Sequence, residues 1–318
     1  MRRVLTLLAG LLAAASVQAQ PYPNRPVRIV VPYAAGGPAD VLARTVGERL
    51  GERLQQRVVV ENITGGNATI GILHVAKAAP DGYTFLIAAP AFTVNPSLMK
   101  SATYDPVKDF APVSMLMDQP MFVVVHPSVP ANTIEELIAL LKANPTKYNY
   151  GTSGAGGPQH LLGEMFKAAT GTQVTHVPYR GAAPAGVAIL AGETQVSFST
   201  PTNTFPHVKA GKLRVLAATT LKRSEFAPDV PTLNERVIKG FSYTSWTGLV
   251  APAGTPREIL QRISQEAAAI VQEKATKEKL QAQGISSVGS TPEEFAAFIR
   301  SDVAASVKLI KDIGLQPE

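Results

Sequence analysis

Few residues in this 318-residue sequence are suited to covalent chemistry, and their spacing argues against most of it. There is no Cys, which excludes a thiol nucleophile, Cys-ligated zinc, iron–sulfur clusters and disulfides. The histidines are His74, His126, His160, His176 and His207. None pairs with another at metal-ligand spacing and no His-Glu-x-x-His occurs, so neither a metal nor another cofactor is expected. Gly151-Thr152-Ser153-Gly154-Ala155 departs from the nucleophile elbow Gly-x-Ser-x-Gly at its last position. A serine hydrolase would need Ser153 beside His176 or His207 and an acid, and nothing in their spacing builds that triad.

The chemistry that the sequence does offer is anion binding. Ala35-Gly36-Gly37-Pro38-Ala39-Asp40-Val41-Leu42 recurs 120 residues later as Ala155-Gly156-Gly157-Pro158-Gln159-His160-Leu161-Leu162. A glycine turn that opens a helix presents unpaired N–H groups at the positive end of the helix dipole, and can hold an anion without a charged side chain. The plainer use of glycine is to allow φ > 0 and close helix–strand packing, but two copies at equivalent places favour a ligand role. Neither turn matches Gly-x-x-x-x-Gly-Lys-Ser/Thr or Gly-x-Gly-x-x-Gly, which argues against nucleotides. Asp40 can fix its turn or bond a ligand group, and His160 is either a polar residue of a first helical turn or a ligand contact.

The elements that must position these turns follow from periodicity. Strands are expected at Val27 to Pro32, Val58 to Glu61, Tyr83 to Ala88 and Tyr148 to Thr152. A helix is expected over Ala39 to Leu54, with Val41, Leu42, Val46, Leu50 and Leu54 on one face, and another near Ala68 to Ala79. The helix after the second turn carries Leu161, Leu162, Met165, Phe166 and Ala169 as its stripe. Thr133/Glu136, Thr255/Glu258 and Thr291/Glu294 have capping-box spacing, with Pro256 and Pro292 at first helical positions. Alternating strands and helices imply α/β architecture with largely parallel sheets, and the length suits two domains. Trp246, the only Trp, reads as core or hinge packing.

Arg2 and Arg3 precede an apolar run from Val4 to Ala15, and Val17-Gln18-Ala19 supplies small residues at the cleavage positions of a secretory signal. Cleavage after Ala19 removes those two Arg and lowers the formal charge from +6 to +4. The remaining basic residues, such as Lys209, Lys212, Arg214, Lys222 and Arg223, are scattered rather than clustered among aromatics, so nucleic acid is not an expected partner. The expected product is an exported protein.

Pro32-Tyr33-Ala34-Ala35-Gly36-Gly37-Pro38-Ala39-Asp40 resembles the first ligand loop of the Bug receptors, the periplasmic solute-binding components of tripartite tricarboxylate transporters. The resemblance extends through Val60-Glu61-Asn62, Pro80-Asp81-Gly82-Tyr83-Thr84, His176-Val177-Pro178-Tyr179-Arg180-Gly181, Ala210-Gly211-Lys212-Leu213-Arg214, Pro231-Thr232, Trp246-Thr247-Gly248-Leu249 and Ala251-Pro252-Ala253-Gly254-Thr255-Pro256. The sequence departs from the family pattern at Ile63 to Ala68 and at Leu233 to Gly240.

The resemblance implies a type II periplasmic binding protein, a Venus flytrap of two α/β domains joined by two hinge strands near Met121 to Val125 and Thr247 to Ala251. Residues 1–19 would be the signal peptide, 20–122 with 247–318 the first domain, and 123–246 the second. It also implies a carboxylate held mainly by loop amides and ordered water, with no enzymatic step. Motif positions carry over Tyr33, Ala35, Gly36, Ala39 and Asp40 from the first half. From the second they carry over Thr152, Ser153, Gly154, Gly156, His160, Tyr179, Arg180 and Gly181. Ala89, Thr200 and Thr202 follow strands expected to face the cleft. Arg180 could pair a second carboxylate bidentately or lie on the surface. The implied partners are a small carboxylate and the transporter's membrane subunits, with a sensor-kinase ectodomain as an alternative, and the chain is expected to be a monomer.

Overall fold

The computed structural model describes residues 22–154, 157–179 and 182–312. The expected signal segment therefore lies outside the described residues, as do Gly156, Arg180 and Gly181. The strands are β1 (Val27–Val31), β2 (Val58–Asn62), β3 (Thr84–Ala88), β4 (Phe110–Pro120), β5 (Phe122–Val125), β6 (Asn149–Thr152), β7 (Thr175–Pro178), β8 (Val196–Ser199), β9 (Arg214–Ala218), β10 (Thr244–Pro252) and β11 (Ser286–Ser287). The helices are α1 (Pro38–Leu54), α2 (Thr69–Ala76), α3 (Ala91–Leu98), α4 (Ile134–Ala143), α5 (Pro158–Thr170), α6 (Ala182–Leu190), α7 (Pro201–Lys209), α8 (Leu233–Arg236), α9 (Arg257–Gln272), α10 (Lys274–Gln281) and α11 (Pro292–Asp312).

The strands form two sheets, ordered β11-β4-β10-β3-β1-β2 and β7-β6-β8-β5-β9. Each is mixed rather than largely parallel. β1 runs parallel to β2 and β3, and β6 runs parallel to β7 and β8. β4, β10 and β11 add to the first sheet antiparallel, and β5 pairs antiparallel with β8 and β9. β4 and β5 are nearly continuous in the chain, so they join the two sheets directly, without the helical crossover that parallel neighbours need.

Side-chain alternation gives each sheet two apolar faces. In β1, Val27, Ile29 and Val31 pack with Leu42, Val46 and Leu50 of α1, while Val30 faces Ile72, Phe92 and Trp246. In β5, Val123 and Val125 pack with Leu162 and Phe166 of α5, while Phe122 and Val124 face Ile189 and Leu213. Trp246 is fully buried against Phe295 and Phe298, as core packing requires.

The chain passes from the first sheet to the second at Met121 and returns between Thr219 and Tyr243. Of the segments expected to link the domains, Phe122–Val125 lies wholly in the second sheet and Thr247–Ala251 runs inside β10 of the first. Buried Thr219 staples the two crossings together. Its amide and hydroxyl reach the Met121 carbonyl at 2.9 and 3.0 Å, and its hydroxyl lies 2.6 Å from the Tyr243 carbonyl. Beyond the crossings, Val94, Leu161 and Ile310 bring α3, α5 and α11 into one apolar cluster.

Helix entry follows local chemistry with two corrections. Thr291 and Glu294 form the expected capping box, and Thr133 accepts from the Glu136 amide, while Glu136 turns to the Asn132 amide. Thr255 does not cap: its hydroxyl bonds the Pro252 carbonyl, Pro256 is extended at ψ 136°, and α9 begins at Arg257. A box absent from the expectations joins Thr232 and Glu235 at the start of α8.

Candidate functional site

The two glycine turns sit at the carboxyl ends of β1 and β6 and open α1 and α5. Their helix entries share one backbone shape: Gly37 has φ −76°, ψ 168°, and Gly157 has φ −76°, ψ 169°. Each is followed by proline in the first helical turn, and each carbonyl accepts from the fourth residue on, Val41 and Leu161 respectively. In α/β sheets this is the edge at which ligands bind.

The locks behind the turns differ. In the first, Asp40 is 2% exposed and its carboxylate closes a ring of donors. Oδ2 accepts from the Gly36 amide and from Arg44 Nε, both at 2.9 Å, and Oδ1 accepts from Asn62 Nδ2 at 2.9 Å. Asn62 Nδ2 also donates to the Tyr33 carbonyl, and Asn62 Oδ1 accepts from Arg44. Burial alone would raise the Asp40 pKa. The bonds from Arg44, Gly36 and Asn62, with the Arg44 charge, outweigh it and hold the carboxyl at about 2. Gly36 lies at φ +82°, where a side chain would be strained, and its amide is committed to Asp40. The turn's importance is therefore its shape, rather than a free Gly36 donor.

The second turn has a neutral lock. The Ser153 amide donates to Gln159 Oε1 at 2.8 Å. Thr152 is fully buried, and its hydroxyl lies 3.0 Å from the Gly154 carbonyl, 3.3 Å from the Gly154 amide and 2.7 Å from His176 Nε2. His160 and His176 stack at 4.1 Å between ring centroids. Burial lowers both imidazole pKa values, that of His176 to about 4. Beside them Glu164 accepts from Lys167 at 2.8 Å and from the Tyr150 hydroxyl at 2.6 Å. Of the two imidazoles that a hydrolase reading could assign to Ser153, His176 is thus bonded to Thr152.

The remaining expected site residues fall at the same sheet edges with varied exposure. Ala35 and Gly36 are exposed; Tyr33, Ala39, Ala89, Ser153, Gly154 and Thr200 are partly so. Asp40 and Thr152 face inward and act on the turns from behind. Tyr179 directs its hydroxyl toward Glu193 at 3.5 Å. Thr202 is spent between the two sheets' domains: its hydroxyl bonds the Gln283 carbonyl and receives Gln119 Nε2 at 3.3 Å. Beside Gln159 a cavity of about 20 Å³, room for roughly one water, is lined in part by Ser197, Ser199 and Asn203. A surface hollow of about 510 Å³ is an open groove at the far end of α1 between Gly47 and Val58, away from both turns.

Comparison with known proteins agrees with this geometry. The description "Tripartite tricarboxylate transporter family receptor" matches residues 42–315. The chain belongs to that family. BugT of Bordetella pertussis is 34% identical over 320 residues, covering 99% of this chain and 98% of BugT. Among solved structures, the periplasmic binding protein BugD superposes with a TM-score of 0.81 at 35% identity, covering 93% of this chain and all of BugD. A protein of R. palustris solved with adipate gives 0.83 at 33% identity, covering 93% and 100% of the two chains. MatC of Rhodopseudomonas palustris, solved with malate, gives 0.78 at 26%, covering 91% and 100%. As a receptor of this family the chain is a solute-binding protein of the two-domain periplasmic type.

Arg44, Asn62, Gln159 and His176 are the working residues absent from the expected site. Each left a trace in the sequence: Arg44 stands four residues after Asp40, Asn62 and His176 lie in quoted family blocks, and Gln159 lies inside the repeat.

Proposed function

We propose that this receptor captures a small carboxylate in the periplasm and delivers it to the membrane subunits of a tripartite tricarboxylate-type transporter. The observation that carries the reading is the pair of turns with matching backbone, one from each sheet, at the positive ends of α1 and α5. A carboxylate between them would meet two helix N-termini at once, and no covalent step is needed. The relatives solved with adipate and malate support this ligand class. The contact surface would comprise Tyr33, Ala35, Gly36, Ala39 and Ala89 on one side and Ser153, Gly154, Gly156, Tyr179, Arg180, Gly181 and Thr200 on the other. The moving bodies would be 20–122 with 247–318, and 123–246, after removal of residues 1–19.

A thermal-shift screen against mono-, di- and tricarboxylates, with adipate and malate included, tests the reading. A ligand at 100 times its Kd should add about 2.7 kcal/mol of stability. If no carboxylate in the panel raises the unfolding temperature, the assignment falls.

A further inference from the structure

We propose that His176 is a positioning residue for ligand capture, which as a neutral imidazole holds the Thr152 hydroxyl and through it the Gly154 peptide of the second turn. The inference rests on the carboxylate-receptor reading and adds to it a residue and a proton dependence.

Parallel pairing of β6 with β7 sets Tyr150 beside His176, and the Tyr179 amide donates to the Thr152 carbonyl at 2.9 Å. His176 Nε2 is thereby brought 2.7 Å from Thr152 Oγ1. Thr152 has one hydroxyl proton and, among the described residues, three polar neighbours: His176 Nε2, the Gly154 carbonyl at 3.0 Å and the Gly154 amide at 3.3 Å. The neutral ring is assigned its Nδ1–H tautomer: with Nε2 unprotonated, the hydroxyl donates to the ring and its oxygen is left to accept from the Gly154 amide. With Nε2 protonated, the ring donates and the hydroxyl proton turns to the Gly154 carbonyl. Adding one proton to the imidazole therefore reverses the hydrogen-bond polarity at a glycine held at φ +143°.

The surroundings favour the neutral ring. His160 stacks on one side at 4.1 Å, and Tyr150 lies 5.0 Å away at 30°. Among the described residues, the charged groups facing the pair are Glu164 and Lys167 of α5. Glu164 favours protonation, but its carboxylate is already engaged by Lys167 and by the Tyr150 hydroxyl. Burial and His160 act against a proton on His176, as does Lys167, and its pKa falls to about 4. At neutral pH the ring is therefore neutral, and in the proposed Nδ1–H tautomer it holds the turn in one polarity.

Nuclear magnetic resonance on the ligand-free protein tests this directly, following the Gly154 amide and the His176 ring nitrogens from pH 7 down to about 3, through the ring's own titration. The Gly154 amide should move in step with the ring. In Thr152→Val the ring should still titrate while Gly154 no longer follows, and in His176→Phe the step should vanish. The two variants are independent, so failure of one to fold leaves the other to decide. Calorimetry with adipate and with malate at pH 7 should then show about tenfold weaker binding in His176→Phe for whichever binds wild type. A Gly154 amide that ignores the ring in wild type, or that follows it equally in Thr152→Val, overturns the proposal. Unchanged affinity in a folded His176→Phe does the same. If no acid of the screening panel binds wild type while Gly154 still tracks His176, the carboxylate reading is what fails, and the positioning stands.

Discussion

Replacing Asp40 by Asn tests the first turn at its most constrained atom pair. The carboxylate is 2% exposed and accepts three hydrogen bonds, from the Gly36 amide, Arg44 and Asn62. Its pKa is about 2 in the folded protein, against an ordinary value of 3.8. At about 1.36 kcal/mol per pH unit, that difference contributes about 2 kcal/mol to the folded state at neutral pH. The sign follows from the direction. A depressed carboxyl pKa gives stability that is fully present above about pH 4 and is lost as pH falls through about 2. Asn keeps one oxygen, but its NH₂ must then point at Arg44, at Asn62 or at the Gly36 amide, all donors, which costs about 1 kcal/mol more. The expected loss is therefore about 2–4 kcal/mol in urea unfolding at pH 7. The part due to ionisation should shrink to about half by pH 3, because Asp40 of the unfolded chain, with its ordinary pKa of 3.8, takes up its proton before the folded one does. A variant within about 0.5 kcal/mol of wild type at pH 7, or a gap that stays constant from pH 7 to pH 3, would refute the charged lock.

Three glycines give contrasting outcomes. Gly36→Ala meets no atom within 4 Å but must hold φ +82°, so it should lose about 1–2 kcal/mol in urea unfolding; no measurable loss would mean that the turn relaxes freely. Gly163→Ala would place its Cβ 2.4 Å from the fully buried Tyr150 ring, so thermal unfolding should show a loss of about 1–3 kcal/mol or more, whereas Gly186→Ala in α6, with nothing within 4 Å, should be neutral or slightly stabilising.

What the sequence made legible was local: the 120-residue repeat, the alternation that gives each strand two faces, and the stripe of α1. The strand direction at the crossings was not, because Phe122 to Val125 reads as an apolar run whichever way its neighbours point. The false box at Thr255 has a local cause as well. Proline at the next position stays extended at ψ 136°, so the helix starts beyond the reach of the threonine side chain. The locks stayed hidden for a different reason. Asn62 reaches Asp40, and His176 reaches Thr152, only because parallel pairing of β1 with β2 and of β6 with β7 sets the strand ends side by side.

The two turns also differ in a way that bears on what the site reads. Gly37 and Gly157 agree within 1° in ψ and are equal in φ, yet one turn is held by an ionised carboxylate with an arginine and the other by neutral groups, an amide, a hydroxyl and an imidazole. Had the side chains supplied the binding charge, the halves would need like chemistry at equivalent places, but Asp40 aligns with His160. Asp40 could only repel an anion if its charge were unspent, and Arg44 and the Gly36 amide both spend it on Oδ2. What the halves share is the direction of the amides at a helix N-terminus. Under the proposed carboxylate reading, a receptor built that way would recognise the geometry of the ligand through its backbone, and leave the side chains around the turns free to differ with the rest of the ligand.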